Sequence, residues 1–216
     1  MINLSQVCKR YPGGIEALKE VTLDIEEGEM VFITGHSGAG KSTLLKLIAA
    51  IEAPSSGTLI INGQNLGQMR PAAIPFLRRN FGLIFQDHKL LYDRSAFDNV
   101  MLPLEITGFD RNEATKRVRA ALDKVSLLAQ EKSMPITLSG GEQQRLCVAR
   151  AIVHRPTILL ADEPTGNLDA AYSVEIMEMF KSFNQVGVTV VIATHDDQMI
   201  ERFSQRTLRL QHGALI

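Results

Sequence analysis

Tryptophan is absent, cysteine occurs twice, and aromatic residues make up only 6% of the 216 residues. Cys8 and Cys147 stand far apart, with no CxxC pair and no Cys/His cluster, so neither a disulfide framework nor a metal-binding thiol site is expected. Both read as small, partly buried thiols of a reducing compartment. Neither sign of charge is in excess: 23 Lys and Arg stand against 24 Asp and Glu, a formal net charge of −1. Such a balance provides no overall basic footprint, and nucleic acid is not an expected partner. Long apolar runs are missing too. The greasiest stretch, Val188 to Ala193, is far short of the ~20 residues that span a bilayer. Met1 to Val7 lacks the basic start and apolar run of a signal peptide. The chain is therefore expected in the cytoplasm, unable by itself to move anything across a membrane.

Internal repeats, low-complexity tracts and Pro/Gly/Ser linkers are also absent, which favours one domain over several. What remains is an ordinary globular composition, 45% apolar and 22% charged, long enough to bury a core without staples. Short β-type runs recur at Leu59–Ile61, Phe81–Phe85, Ile158–Ala161 and Val188–Ala193. Continuous apolar runs such as the last two predict strands buried on both faces, as in a parallel sheet covered by helices. Helical patterns alternate with them: Lys41 to Ile51, and Ala171 to Phe183 with Val174, Met177 and Phe180 spaced by three. That alternation is α/β. Residues 1–50, with Val7, Val21, Leu23 and Ile25 between turns, predict a small antiparallel layer. Between Phe85 and Ile158 strand signal is scarce. Helices are expected over Asn112–Leu128 and Ser139–Val153 instead. The expected organisation is one domain over residues 1–216, with a core of about 1–86 and 158–216 and an inserted helical subdomain of about 87–157.

The most informative segment is Gly35-His36-Ser37-Gly38-Ala39-Gly40-Lys41-Ser42, which fits G-x-x-x-x-G-K-[ST]. It follows the strand-like Met30–Thr34 and opens a helix, continuing into Thr43. Glycines let backbone N–H groups curl around phosphate oxygens, and the helix N-terminus adds a favourable dipole. Lys41 is expected to reach the β- and γ-phosphates and Ser42 to ligate Mg²⁺. Ile158 to Glu163 is an apolar strand ending in two carboxylates, placed where parallel sheets bind ligands. Asp162 would join the Mg²⁺ shell, and Glu163 would polarise a water for attack on the γ-phosphate. A merely solvated acidic pair is the plainer reading of those two, and the accompanying phosphate loop argues against it.

Leu138-Ser139-Gly140-Gly141-Glu142-Gln143 admits two readings at once. Ser139 and Glu142 form the capping box S-x-x-E that starts a helix. Consecutive glycines serve that purpose poorly, each costing about 1 kcal/mol inside a helix. They suit a backbone that an anion approaches closely.

This run resembles the signature of ATP-binding cassette ATPases, and the other elements of that family stand in its order along essentially the whole chain. The resemblance implies a P-loop NTPase fold with a RecA-like parallel-sheet core, an N-terminal antiparallel layer and an inserted helical subdomain. It implies an ATP-dependent homodimer in which Ser139, Gly140, Gly141 and Glu142 bind the γ-phosphate of ATP held by the other copy. By the same resemblance Tyr11 stacks on adenine, and Gln86 senses Mg²⁺ and γ-phosphate. Asn167-Leu168-Asp169 is similar to the D-loop, and His195 to the switch histidine at the γ-phosphate. Lys41, Gln86, Glu163 and His195 thus form the implied catalytic set, with Ser42, Gln86 and Asp162 on the metal.

Further segments resemble the FtsE-type cell-division branch of the family: His36, Phe76-Leu77-Arg78-Arg79, Ile84 to His88, Leu90-Leu91, Asp93-Arg94 and Asp162 to Asp169. That branch implies an FtsX-type integral membrane partner, contacts with division-ring proteins, and an indirect link to a periplasmic activator of wall hydrolases. The expected place is the cytoplasmic face of the inner membrane at the division site, as a peripheral protein. The Gly-Asn-Leu-Asp ending is shared with lipoprotein-release and macrolide or peptide efflux ATPases, which are the alternative. Leu146-Cys147 departs from the small or β-branched residues expected after Arg145. The stop at Ile216, soon after a last strand near Leu208, is compatible with a longer native chain.

Overall fold

The structure, a computed structural model, describes residues 1–166 and 168–216. Asn167, expected in the D-loop, lies outside the described residues.

Two sheets organise the chain. Strands β1 (Ile2–Arg10), β2 (Glu16–Ile25), β4 (Ser56–Ile61) and β5 (Gln64–Asn65) form an antiparallel sheet in the order β2-β1-β4-β5. The predicted antiparallel layer is present, but its membership differs from the first fifty residues: β4 completes it, while β3 (Met30–Thr34) joins the other sheet. That second sheet runs β10-β9-β3-β8-β7-β6, from β6 (Phe81–Ile84), β7 (Ile158–Asp162), β8 (Thr189–Ala193), β9 (Arg206–Gln211) and β10 (Ala214–Leu215). Its five long strands are parallel, and β10 returns antiparallel to β9.

The continuous apolar runs are explained by this sheet, because alternate side chains enter different cores. Met30, Phe32, Leu159, Ala161, Val190 and Ile192 point into one. Val31, Ile33, Ile158, Leu160, Val191 and Ala193 point into the other. The second core is closed by α1 (Lys41–Ile48) and the inner face of the antiparallel sheet, through Leu44, Leu47, Leu4 and Ile61. The first is closed by helices, including α6 (Ala170–Gln185) through Ile176, Met177 and Phe180.

The stretch between β6 and β7 is helical, as expected: α3 (Ala96–Thr107), α4 (Arg111–Lys124) and α5 (Gly140–Ile152) pack on one another. Helix α3, absent from the sequence reading, contains Pro103 and is capped by Ser95, which accepts from the Asp98 N–H. Fully buried Asn99 sews the preceding loop onto it, donating to the Leu91, Arg94 and Ser95 carbonyls and accepting from the Leu91 N–H. A short helix, α2 (Ile74–Arg78), precedes β6, and α7 (Asp197–Phe203) follows β8. Among the described residues no helix is long and apolar enough to cross a membrane. Both cysteines are free, Cys147 buried and Cys8 half-buried.

Candidate functional site

At the carboxyl ends of β3, β7 and β8, the parallel sheet opens into a cavity of about 430 Å³. Its floor is the loop from His36 into the first turn of α1, and its walls include Gln86, Glu163 and His195. Packing explains the loop's glycines. A Cβ on Gly35 would lie 2.2 Å from the Leu210 carbonyl oxygen of β9, and one on Gly40 would lie 2.6 Å from that of Ala17 in β2. Gly40 also takes a φ of 109°, in the region that glycine adopts without strain. The loop thus rides directly on both sheets.

Lys41, the first residue of α1, folds back over this loop. Its ammonium donates to the Gly35 carbonyl at 2.7 Å and the His36 carbonyl at 3.4 Å, and lies 3.5 Å from Glu163 Oε1. The same carboxylate oxygen is 2.9 Å from His195 Nδ1. Lys41, Glu163 and His195, brought from three elements, therefore share one carboxylate. Glu163 takes a left-handed φ of 48°, and its N–H is tied to the Ala193 carbonyl at 2.8 Å. A side chain other than glycine in that conformation carries strain, which concentrates at functional sites.

Asp162, one residue earlier, is half-buried, and its Oδ1 is buried without a hydrogen-bond partner. Burial raises its pKa and the Glu163 charge adds to that, while the Ser42 hydroxyl and the Lys41 and Lys46 charges oppose it. An orphaned carboxylate oxygen beside a serine hydroxyl fits a hard divalent cation, which takes oxygen ligands. Among the described residues no group of three or more His, Cys, Asp or Glu forms a metal cluster, so any such ion would draw the rest of its shell from substrate and water.

Tyr11 stands at the rim, its hydroxyl 3.4 Å from that of Thr43. Ile15, Glu16 and Ala17, just after the Tyr11-Pro12-Gly13-Gly14 turn, line the cavity and went unforeseen. The turn signal alone pointed towards them. The His36 ring lies 5.0 Å from that of His212 in the β9–β10 turn.

The Ser139–Glu142 segment does not line this cavity. It is the predicted capping box: the Ser139 hydroxyl accepts from the Glu142 N–H, and the Glu142 carboxylate accepts from the Ser139 N–H at 2.8 Å. Those bonds hold the Glu142 carboxyl below its usual range. Ser139 and Gly140 are exposed, offering their backbone outward. Asp169 likewise lies outside the cavity and caps α6, accepting from the Ala171 and Tyr172 N–H groups.

Helix α5 is fastened to the segment that follows Gln86. His88 and Lys89 take consecutive left-handed conformations. The Arg150 guanidinium donates to both of their carbonyls, at 2.5 and 2.6 Å. Exposed Gln86 and the exposed Ser139 turn are thereby the ends of one connected unit.

The profile of the ABC transporter family matches residues 18–166. The chain is 55% identical to the cell division ATP-binding protein FtsE of Escherichia coli K12, over 100% of this chain and 97% of that protein. Identity to the FtsE of Bacillus subtilis is 42%, over 100% and 95%. Among solved structures, it resembles a dimeric ATP-binding cassette in a post-hydrolysis state bound to ADP and Pi, with a TM-score of 0.92 and 37% identity over 100% of this chain and 96% of the other.

Proposed function

The chain belongs to the ABC transporter family and is an ATPase of it, and from that membership we propose that it is the ATP-hydrolysing subunit of an FtsEX-type complex, in which closure of a head-to-tail homodimer controls septal peptidoglycan hydrolysis. The observation that carries this reading is the divided site. One copy presents a phosphate loop, Glu163 and His195 in one cavity, and leaves Ser139 and Gly140 of its Ser139–Glu142 turn exposed elsewhere. A second copy would supply that turn to the same phosphates, so ATP stabilises the closed dimer by binding both surfaces.

In the mechanism, the loop N–H groups and Lys41 hold the β- and γ-phosphates by charge-assisted hydrogen bonds. Once Lys41 turns to phosphate, Glu163 is free to accept a proton from the attacking water, with His195 fixing the carboxylate's orientation. The water oxygen bonds to the γ-phosphorus as the bridging oxygen departs with ADP, giving ADP and phosphate. Ser42, Gln86 and Asp162 would hold Mg²⁺, which when bound offsets phosphate charge.

The membrane partner would dock beside Gln86. There a cavity of about 340 Å³ has an apolar floor that includes Phe85, Leu102 and Ile106, with Arg79, Lys89 and Arg150 also on its lining. Arg150 ties this groove to α5, so a shift of the Ser139 turn on closure would reach the partner. The chain itself would sit on the cytoplasmic face of the membrane at the division site. Depleting it from its native cell should give filaments that fail to septate, and an integral membrane protein of the division site should co-purify with it. Normal septation accompanied by failure to export a lipoprotein or peptide would overturn the division reading.

A further inference from the structure

The base-stacking role that the family resemblance implies for Tyr11 raises the question of what holds its ring. Tyrosine at a loop rim has two free torsions, and a mobile ring would have to be ordered each time nucleotide bound. Here two contacts brace it, one on the ring face and one at the hydroxyl. The Lys9 ammonium lies over the ring, 5.1 Å from its centroid, so one face is already taken. Lys9 is itself held, donating to the Ala53 carbonyl at 2.9 Å and lying 3.1 Å from Glu52 Oε2. Glu52 Oε1 is 3.8 Å from the Lys46 ammonium on α1, and the Tyr11 hydroxyl reaches Thr43 on the same helix.

Glu52 is the hub of this arrangement. Its Oε2 is buried, and its Lys9 partner has a side chain only 14% exposed. Burial alone would raise the Glu52 carboxyl, but the Tyr11 hydroxyl, Lys9 and Lys46 outweigh it and hold the group below its usual range. Burial raises the Tyr11 phenol, and Glu52 adds to that while the Thr43 hydroxyl opposes it. The phenol therefore stays protonated and able to donate. None of these contacts touches the phosphate loop between Gly35 and Gly40, and Glu52 does not line the nucleotide cavity.

We propose that Glu52 is a positioning residue for the nucleotide base: by holding the Lys9 ammonium over the Tyr11 ring it fixes that ring with one face covered, leaving the other for adenine. The proposal rests on the stacking role of Tyr11 and deepens it, predicting that base affinity and phosphate affinity separate at Glu52.

The test uses the full chain with Mg²⁺ and two probes, the ATP analogue AMP-PNP and inorganic tripolyphosphate, which lacks a base. By calorimetry Tyr11→Ala should weaken AMP-PNP by about ten-fold or more, as loss of base–aromatic stacking does, and leave tripolyphosphate binding as it was. Glu52→Ala should weaken AMP-PNP by about three- to ten-fold, the scale of one lost charged hydrogen bond, again sparing tripolyphosphate. Glu52→Gln, which keeps an acceptor for the Lys9 ammonium, should recover part of that loss. Tyr11→Phe combined with Glu52→Ala should fall short of the sum of the two, because both act on one ring. If Glu52→Ala weakens both probes alike, or neither, while Tyr11→Ala weakens AMP-PNP alone, the positioning role is wrong and stacking stands. If Tyr11→Ala leaves AMP-PNP affinity unchanged, stacking itself falls, and the proposal with it.

Discussion

His195 Nδ1 lies 2.9 Å from Glu163 Oε1, close enough for the imidazole to hold the carboxylate in place. A carboxylate fixed from one side and strained at its backbone is suited to accept a proton in one direction. Glu163→Gln keeps the size and the hydrogen-bond acceptor but removes the base. Phosphate release should slow by about 10²–10⁴-fold. With Mg·ATP this variant should accumulate as a dimer in light scattering, and adding Ser139→Arg should return it to monomer. Hydrolysis at the parental rate would remove Glu163 from the proposed role.

Lys41 has two sets of partners. In the structure its ammonium donates to the Gly35 and His36 carbonyls and lies 3.5 Å from Glu163, and phosphate is the proposed second set. Lys41→Ala leaves those carbonyls to water and removes the charge that meets phosphate. The variant should fold, with unchanged circular dichroism, and lose about 100-fold or more in ATP affinity by calorimetry, the scale of a lost charge-assisted contact. Undiminished binding would refute the phosphate-loop role.

Burial of His154 predicts a fold that loses stability in mild acid. Its Nε2 lies 3.0 Å from the Phe81 carbonyl, and its Nδ1 is buried without a partner. Burial pushes the imidazole below its usual 6.5, against the carbonyl, which raises it. With the folded-state value below the unfolded one, this stabilisation is fully present above the unfolded value. It is lost as pH falls through the folded value, because only the unfolded chain binds the proton freely. Between about pH 7 and pH 5 the parental protein should therefore lose about 1–3 °C more in Tm than His154→Gln. Equal losses in thermal melts would show that His154 is not the responsive group.

The groove beside Gln86 carries a charge signature. Of its lining cations, Lys89 is paired with Asp87 at 2.6 Å, whereas among the described residues no carboxylate lies within ion-pair distance of Arg78, Arg79 or Arg150. Ile106 is 67% exposed in the same groove, and an exposed apolar side chain ringed by cations fits a partner segment with apolar and acidic residues. Arg79→Glu or Ile106→Glu should abolish co-purification of the membrane partner while ATP affinity stays within about two-fold, since such rim changes act locally. Retained association with both variants would place the partner elsewhere.

Much of this architecture was legible because it follows from local chemistry. Uninterrupted apolar runs at Ile158 and Val188 marked strands covered on both faces, and Ser139 with Glu142 marked a helix start. Helix ends were harder to read. The expected helix to Ile51 stops at Ile48, and Ala50 then takes a left-handed φ of 53° with no glycine to signal it. Likewise the helix expected to Leu128 stops at Lys124, before a left-handed Ser126. Pro103 concealed α3, since proline commonly ends a helix, yet packing against α4 and α5 sustains one here. At the site, motif spacing named Lys41, Asp162 and Glu163. It could not place Glu52 on Lys9 or Arg150 on His88, because those contacts arise only when distant segments meet.

The seat of Gly35 against the Leu210 carbonyl has a temporal consequence. Strand β3 pairs with β8 on one side and β9 on the other, so the phosphate loop, which rests on the earlier β2 at Gly40, is completed at Gly35 only by strands made much later. Contacts that distant form late, after a large loss of chain entropy. Until β9 is in place, the loop lacks the Leu210 carbonyl on which Gly35 rests. The finished shape of the phosphate loop thus depends on a pairing between segments from opposite ends of the sequence.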